Sequence, residues 1–291
     1  MFTKSFHYNL IDPLKSIAGY RIIKFPDGEK QIELEAPLLY NKVTNTILTR
    51  LSSVEDIFIL LQLVDILRRF EISYEIHVTY IIGQRNDRIM SMTSASNFKI
   101  IMDMIERVLP DSVMELHNPK SHPYIIKNVL STLNIIKWDN YFKELYNQKK
   151  LVLVLPDYGA YNRYKEELMM YPKVITATKV RNNTKGEPSM TVELDSIILP
   201  KIDENDEFTV IDDLCDGGRT FTLLAAELRK LNPKMKLNLV VTHAVNMDGL
   251  LIVSKYYDNV FITNSYQNWD KMRNLPENVK VVDCDTLYYN V

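Results

Sequence analysis

The sequence predicts an α/β protein, and three observations predict it. Short β-branched or aromatic runs alternate with amphipathic helical stretches along the chain, the pattern of mainly parallel sheets with helices on both faces. One segment, Phe208–Phe221, packs a strand, a pair of acids, a glycine turn and a helix start into consecutive positions. The length, 291 residues, accommodates two domains of ordinary size, each with room for its own core.

Taken in order, Phe25-Pro26-Asp27-Gly28-Glu29 reads as a hairpin turn before an alternating strand at 31–35. Ser52-Ser53-Val54-Glu55 has capping-box spacing ahead of Ile57, Leu60, Leu61, Val64 and Leu67, one apolar helix face. A strand follows at 74–82, a helix at 94–108 and a short strand at 112–116 that ends at His117. The polar, lysine-rich stretch 141–150 is expected to mark the domain boundary, with domains at 1–146 and 147–291. The second half opens on an apolar strand, 151–155, then a turn at Pro156-Asp157-Tyr158-Gly159 and a helix to about residue 170. Strands are expected at 173–178, 190–194, 208–211, 237–242 and 260–263, with helices after the 208–211 and 237–242 strands. A last strand-like piece, 279–283, suits either domain.

The segment 208–221 carries the chemistry. Phe208, Thr209, Val210 and Ile211 read as a buried strand running into Asp212 and Asp213. In open α/β sheets ligands bind in the crevice outside the strands' C-terminal ends, where this acid pair falls. Gly217 and Gly218 allow a tight turn and close backbone approach, and Thr220 is expected to cap the run Phe221, Leu224, Ala225, Leu228 and Leu231. A helix N-terminus of this kind suits phosphate. Acid pairs and glycine pairs are individually common in solvated βα turns; in this order they suit a ribose phosphate, whose hydroxyls the carboxylates accept.

Other clusters are weaker alone. Arg85-Asn86-Asp87-Arg88 reads as a solvated, salt-bridged loop or as a base- and phosphate-contacting one. His117 and Asp157 each follow a strand, and a lone His is more often structural than a ligand. Lys179 and Arg181, in TATKVRNNTKGEPS, are expected at a strand end leading into a mobile loop. Such a loop is ordinarily solvated, or else closes over a transferring phosphoryl group. No zinc-type ligand spacing occurs, so any cation would be magnesium brought by a nucleotide.

Composition excludes several classes. A hydrophobic content of 46%, a charged content of 25% and a formal net charge of −2 are those of a soluble globular protein with no general electrostatic case for nucleic acid or an anionic membrane. Apolar stretches such as Ile57–Leu61 fall far short of the roughly 18 residues of a membrane span. MFTKSFHYNL lacks the apolar core of a signal peptide. Cys215 and Cys284 are too few for a disulfide framework, so reduced thiols and a cytoplasmic location are expected.

The ordered series FPDGE, RNDR, ELH, PDYG, TKVR and IDDLCDGGRT resembles the motif series of the phosphoribosyl-diphosphate (PRPP) synthetases over nearly the whole chain. Phosphoribosyltransferases share only the last motif. The resemblance implies two phosphoribosyltransferase-like domains, each a mainly parallel sheet flanked by helices. It also implies a Mg²⁺-dependent transfer of the β,γ-diphosphate of ATP to the C1 hydroxyl of ribose 5-phosphate, in a homo-oligomer, dimer or hexamer. Carried over, Asp27, Gly28 and Glu29 would meet ATP across a subunit interface, Arg85 and Asn86 would line the nucleotide site, and His117 with Asp157 would hold the metal and triphosphate. Lys179 and Arg181 would stabilise the transferring group. Asp212 and Asp213 would bind the ribose hydroxyls, with Asp216, Gly217, Gly218, Arg219 and Thr220 around the 5-phosphate.

Three positions depart from the family pattern. Asn86 stands for the usual glutamine and Glu115 for the usual aspartate. Asp216-Gly217-Gly218-Arg219-Thr220 replaces Asp-Thr-Gly-Gly-Thr, losing a hydroxyl and gaining a cation. Arg219 pairs equally well with a terminal phosphate or with the diphosphate of ADP-ribose, an acceptor that keeps a free C1 hydroxyl and would tie the reaction to NAD metabolism. A non-catalytic subunit associated with an active synthetase is a further reading.

Overall fold

The structure is a computed structural model that describes residues 6–35, 45–83, 92–106, 113–115, 132–182, 189–194, 202–284 and 287. The chain divides into two compact units, Met1–Val129 and Leu130–Val291.

In the first unit, β1 (Tyr8–Asn9), β4 (Asn45–Leu51), β5 (Tyr74–Ile81) and β6 (Val113–Glu115) form a four-stranded sheet in that order, parallel throughout. β2 (Tyr20–Lys24) and β3 (Lys30–Leu34) form a separate antiparallel hairpin. Helices α1 (Val54–Arg69) and α2 (Asn97–Glu106) complete the unit. α1 starts one residue later than its capping signal suggests. Ser53 is the cap, its hydroxyl accepting from the Asp56 amide while the Asp56 carboxylate accepts from the Ser53 amide. Ile57, Leu60, Leu63, Val64 and Leu67 are buried. The hairpin is stitched to α1 by one amide side chain: Gln62 accepts from the Ile32 N–H at 2.9 Å and donates to the Lys30 carbonyl at 2.8 Å.

The second unit contains α3 (Thr132–Trp138), α4 (Asn140–Asn147), β7 (Leu151–Leu155), α5 (Tyr158–Leu168), β8 (Val174–Asn182), β9 (Ser189–Leu194), β10 (Glu207–Cys215), α6 (Arg219–Leu231), β11 (Lys236–Ala244), α7 (Met247–Val253), β12 (Asn259–Thr263) and β13 (Val279–Val282). Its seven-stranded sheet has the order β13-β12-β11-β10-β7-β8-β9. All pairs are parallel except β8 with β9.

The division between units falls at 129/130, ahead of the 146/147 expected from the lysine-rich stretch. That stretch is α4, an amphipathic helix. Lys143 and Glu144 are exposed while Phe142 and Leu145 are buried, the Phe142 ring lying 4.7 Å from that of Phe261 on β12. The last strand belongs to the second unit, where β13 pairs in parallel with β12. The expected fold class, α/β with mainly parallel sheets flanked by helices, is the one observed. No helix among the described residues is long and apolar enough to cross a membrane.

The strand order reverses between β7 and β10. From β7 the chain crosses to β8 on one side, and from β10 it crosses to β11 on the other. Right-handed crossovers in opposite directions send α5 and α6 to opposite faces, which opens a crevice at the C-terminal ends of β7 and β10.

β8 also differs from expectation. It pairs with β7 as far as Thr176, and from Ala177 to Asn182 it pairs with β9. At about 3.3 Å per residue this makes a two-stranded arm about 20 Å long beyond the sheet edge. β9 lies against α6.

Candidate active site

The crevice is built from β10 upward. β10 pairs with β7 only to Val210 but continues along β11 to Cys215, so Asp212 and Asp213 sit where one neighbour has ended and the other persists. Their side chains keep 18% and 15% exposure, open enough for a ligand and buried enough to be felt as charges. Arg163 reaches them from α5, its Nη1 3.3 Å from Asp212 Oδ1 and 2.6 Å from Asp213 Oδ2. The Asp213 amide also donates to Asp212 Oδ1 at 2.9 Å.

Burial, and then the neighbouring Asp213 charge, push the Asp212 carboxyl well above the usual carboxylate range, with Arg163 opposing. Burial works against the Arg163 charge too, but Asp213, Tyr164 and Asp212 outweigh it and hold the guanidinium firmly charged. Beneath the acids lies a hydroxyl cluster. Thr132 Oγ1 donates its one proton to the Asp212 carbonyl at 2.7 Å, so Tyr164 (3.1 Å) and Thr242 (2.8 Å) donate to Thr132. Four elements, α3, α5, β10 and β11, therefore fix the backbone that carries the acid pair.

The glycine loop follows. Gly218 adopts φ +74°, the left-handed region that favours glycine, and is itself the N-cap of α6. Thr220, expected as the cap, is the second helical residue. Arg219 at the first helical position and Gly217 before the turn are exposed, while Thr220 and Asp216 are half-buried. The loop is held from behind by α7. Asn246, which caps α7, donates from Nδ2 to Asp216 Oδ1 at 3.3 Å, and the Val245 amide donates to the Cys215 carbonyl at 3.0 Å. Gly249 lies so close that an added Cβ would sit 1.5 Å from the Asp216 carbonyl oxygen. Cys215 is buried, and burial, with Asp212 and Asp216, pushes its thiol up to about 12, so it is no nucleophile.

Asp157, at the end of β7, is the N-cap of α5, its Oδ1 accepting from the Ala160 amide at 2.9 Å. That use of one oxygen is compatible with a single metal contact through the other. Among the described residues no three His, Cys, Asp or Glu side chains gather as a metal-holding group.

Lys179 and Arg181 lie two residues apart on β8, within the paired arm rather than in a loop. Asp27, Gly28 and Glu29 form the exposed tip of the β2–β3 hairpin. The Phe25 amide donates to the Glu29 carbonyl at 2.8 Å, and Gly28 has φ +95°. Arg85, Asn86 and His117 lie outside the described residues.

The residues not foreseen from the sequence are Arg163, Thr132, Asn246 and Gly249. Gly249 had a signal, an isolated glycine inside an apolar helical run, which marks close packing. Arg163 offered none beyond being a charge on a helix that also buries Ala160, Tyr164 and Leu168.

An acid pair and a glycine turn into a helix, at the switch point of a mainly parallel sheet, define the class of α/β proteins that bind ligands outside their strand ends. Within that class, the chain is similar to a phosphoribosylpyrophosphate synthetase from Mycobacterium smegmatis. The TM-score is 0.71 and the identity 15%, over 94% of this chain and 89% of that one. That likeness extends the shared fold to nearly the whole chain, as two phosphoribosyltransferase-like units. A xanthine-guanine-hypoxanthine phosphoribosyltransferase from Helicobacter pylori is similar over 50% of this chain and 88% of its own, at a TM-score of 0.30 and 15% identity. No family model matches the sequence, and no curated protein does.

Proposed function

We propose that the protein is a diphosphokinase that moves the β,γ-diphosphate of Mg·ATP to the C1 hydroxyl of a ribose 5-phosphate-type acceptor. The observation that carries this reading is the acid pair at the end of β10, continued by the left-handed Gly218 into α6. It is a site for a vicinal diol beside a phosphate, and the synthetase-like fold supports it.

In this reading Asp212 and Asp213 accept the ribose hydroxyls, and Asp216–Thr220 hold the 5-phosphate against the start of α6. The C1 oxygen attacks the β-phosphorus. The new O–P bond forms as the bond from the β-phosphorus to the α,β-bridging oxygen breaks, AMP departs with that oxygen, and the hydroxyl proton passes to solvent. Lys179 and Arg181 neutralise charge on the transferring group. His117 and Asp157 would hold magnesium arriving on ATP, which would offset charge on the phosphates. Asp27, Gly28, Glu29, Arg85 and Asn86 would take the ATP, the hairpin tip offering its groups to a second subunit of a homo-oligomer. Lys179→Ala should lower turnover at least about 100-fold, the loss of one transition-state contact of about 2.7 kcal/mol. Turnover within threefold of wild type removes Lys179 from the mechanism.

Arg219 favours a second acceptor. Exposed at the first position of α6, it offers a bidentate fork where a 5-position diphosphate would run. With ADP-ribose the product would be ADP-ribose 1-diphosphate. AMP release from Mg·ATP, measured separately with ribose 5-phosphate and with ADP-ribose, tests both readings. Silence with each sugar rejects the kinase and leaves the non-catalytic subunit.

A further inference from the structure

One charged side chain in the crevice has no part in the assignments above. Arg163 lies on α5, more than a turn past Asp157, yet it is the cation that faces the acid pair on β10. Three features set it apart from an ordinary surface ion pair. A single nitrogen, Nη1, serves both carboxylates, at 3.3 Å and 2.6 Å. The guanidinium carbon lies 5.7 Å from the centre of the Tyr164 ring, and Tyr164 is itself locked into the hydroxyl cluster under Asp212. The Arg163 side chain keeps only 21% exposure, so solvent screens the pair less than it would at the open surface. The guanidinium is thus held by what surrounds it.

Resting on the reading of Asp212 and Asp213 as acceptor carboxylates, we infer that Arg163 is the positioning residue of the sugar site: it neutralises and orients the two acids so that together they receive a vicinal diol. Two adjacent carboxylates repel, and a partly buried pair relieves that repulsion by retaining a proton or by turning apart. Either response destroys a matched pair of acceptors. A fixed cation touching both opposes that response, although burial and the Asp213 charge still keep the Asp212 carboxyl raised. Among the described residues, the ion pairs recorded for the two acids both run to Arg163. Other described groups near the pair include Tyr164 on α5, the Thr132 and Thr242 hydroxyls, and Cys215 and Asp216 further along β10 and its loop, which are neutral or acidic. Arginine suits the task better than lysine because its planar, delocalised head keeps one orientation while it touches both acids. The inference also divides labour along α5: its first residues face the metal-bearing nucleotide through Asp157, and its second turn serves the sugar.

The test is calorimetric binding of ribose 5-phosphate and of ADP-ribose, and separately of Mg·ATP, to the full chain as wild type, Arg163→Gln and Arg163→Lys. Arg163→Gln is expected to weaken the bound sugar at least 30-fold and to leave Mg·ATP within threefold. Arg163→Lys, which keeps the charge without the planar head, should recover at least fivefold of that loss. Sugar affinity within threefold of wild type in Arg163→Gln overturns the inference while leaving the proposed reaction standing. An equal loss for sugar and nucleotide, or no recovery in Arg163→Lys, overturns it in favour of a merely structural ion pair. A wild type that binds neither sugar sinks the acceptor reading and this inference with it.

Discussion

Gly249→Ala is the sharpest test of how the crevice is held. A Cβ at that position would lie 1.5 Å from the Asp216 carbonyl oxygen, 2.7 Å from its carbon and 3.1 Å from the Gly217 Cα. All are backbone atoms, so no side chain can swing away. Restoring an ordinary contact requires the loop and α7 to part by about 2 Å. Overpacking of this kind costs about 1–3 kcal/mol, and exchanging glycine for alanine within a helix returns about 1 kcal/mol, leaving a net loss of about 0–2 kcal/mol. For a unit of this size the thermal midpoint should fall by less than about 8 °C. Function should suffer far more, because a misplacement of about 1 Å in a positioned group costs roughly 100-fold. Scanning fluorimetry and acceptor-dependent AMP release on the same preparation compare the two. Gly217→Ala serves as the stability control, since its Cβ would meet nothing within 4 Å. A Gly249→Ala protein with wild-type acceptor KM and kcat would refute the idea that α7 sets the loop.

Two further expectations concern charge. Asp212 has a folded pKa raised by burial and by Asp213. The stability tied to its protonated form is therefore complete below the unfolded carboxylate range near pH 4 and is lost as pH rises through the folded value. Asp212→Asn, which cannot ionise, should be more stable than wild type in urea at pH 8, with the gap closing toward pH 4; no gain at pH 8 contradicts the assignment. Lys173 holds the buried Asp206 at 2.6 Å, and Asp206 also accepts from the Asp203 amide at 2.8 Å. Lys173→Met strands that carboxylate and should cost about 3–5 kcal/mol in urea unfolding, with acceptor affinity unchanged.

The parts of the site that were legible in the sequence are those encoded by neighbours in the chain. Phe208–Ile211, the acids after them and the glycines that turn the chain lie within a dozen residues, and each announces itself by side-chain type. The parts that were not legible depend on partners far away. Lys179 and Arg181 look like loop residues because they are polar, yet their backbone is strand, paired with Met190–Val192 across a ladder that local propensity does not reveal. The stretch 141–150 looks like a linker because it is polar and lysine-rich, but Phe142 and Leu145 are buried, and Tyr141 stacks on Phe261 of the second sheet. Arg163 meets Asp212 across 49 positions and Thr132 meets it across 80, distances over which no spacing rule operates.

The clamp that Gly249 and Asn246 place behind the loop has a consequence for residue 219. Because the backbone of 216–218 is set from α7, the side chain at the exposed position 219 can change without disturbing the path of the chain. Shape and vocabulary are separable: α7 sets the first, and position 219 is at liberty to rewrite the second. On the proposed acceptor reading, varying residue 219 while leaving 246 and 249 untouched would change the acceptor without reshaping the loop.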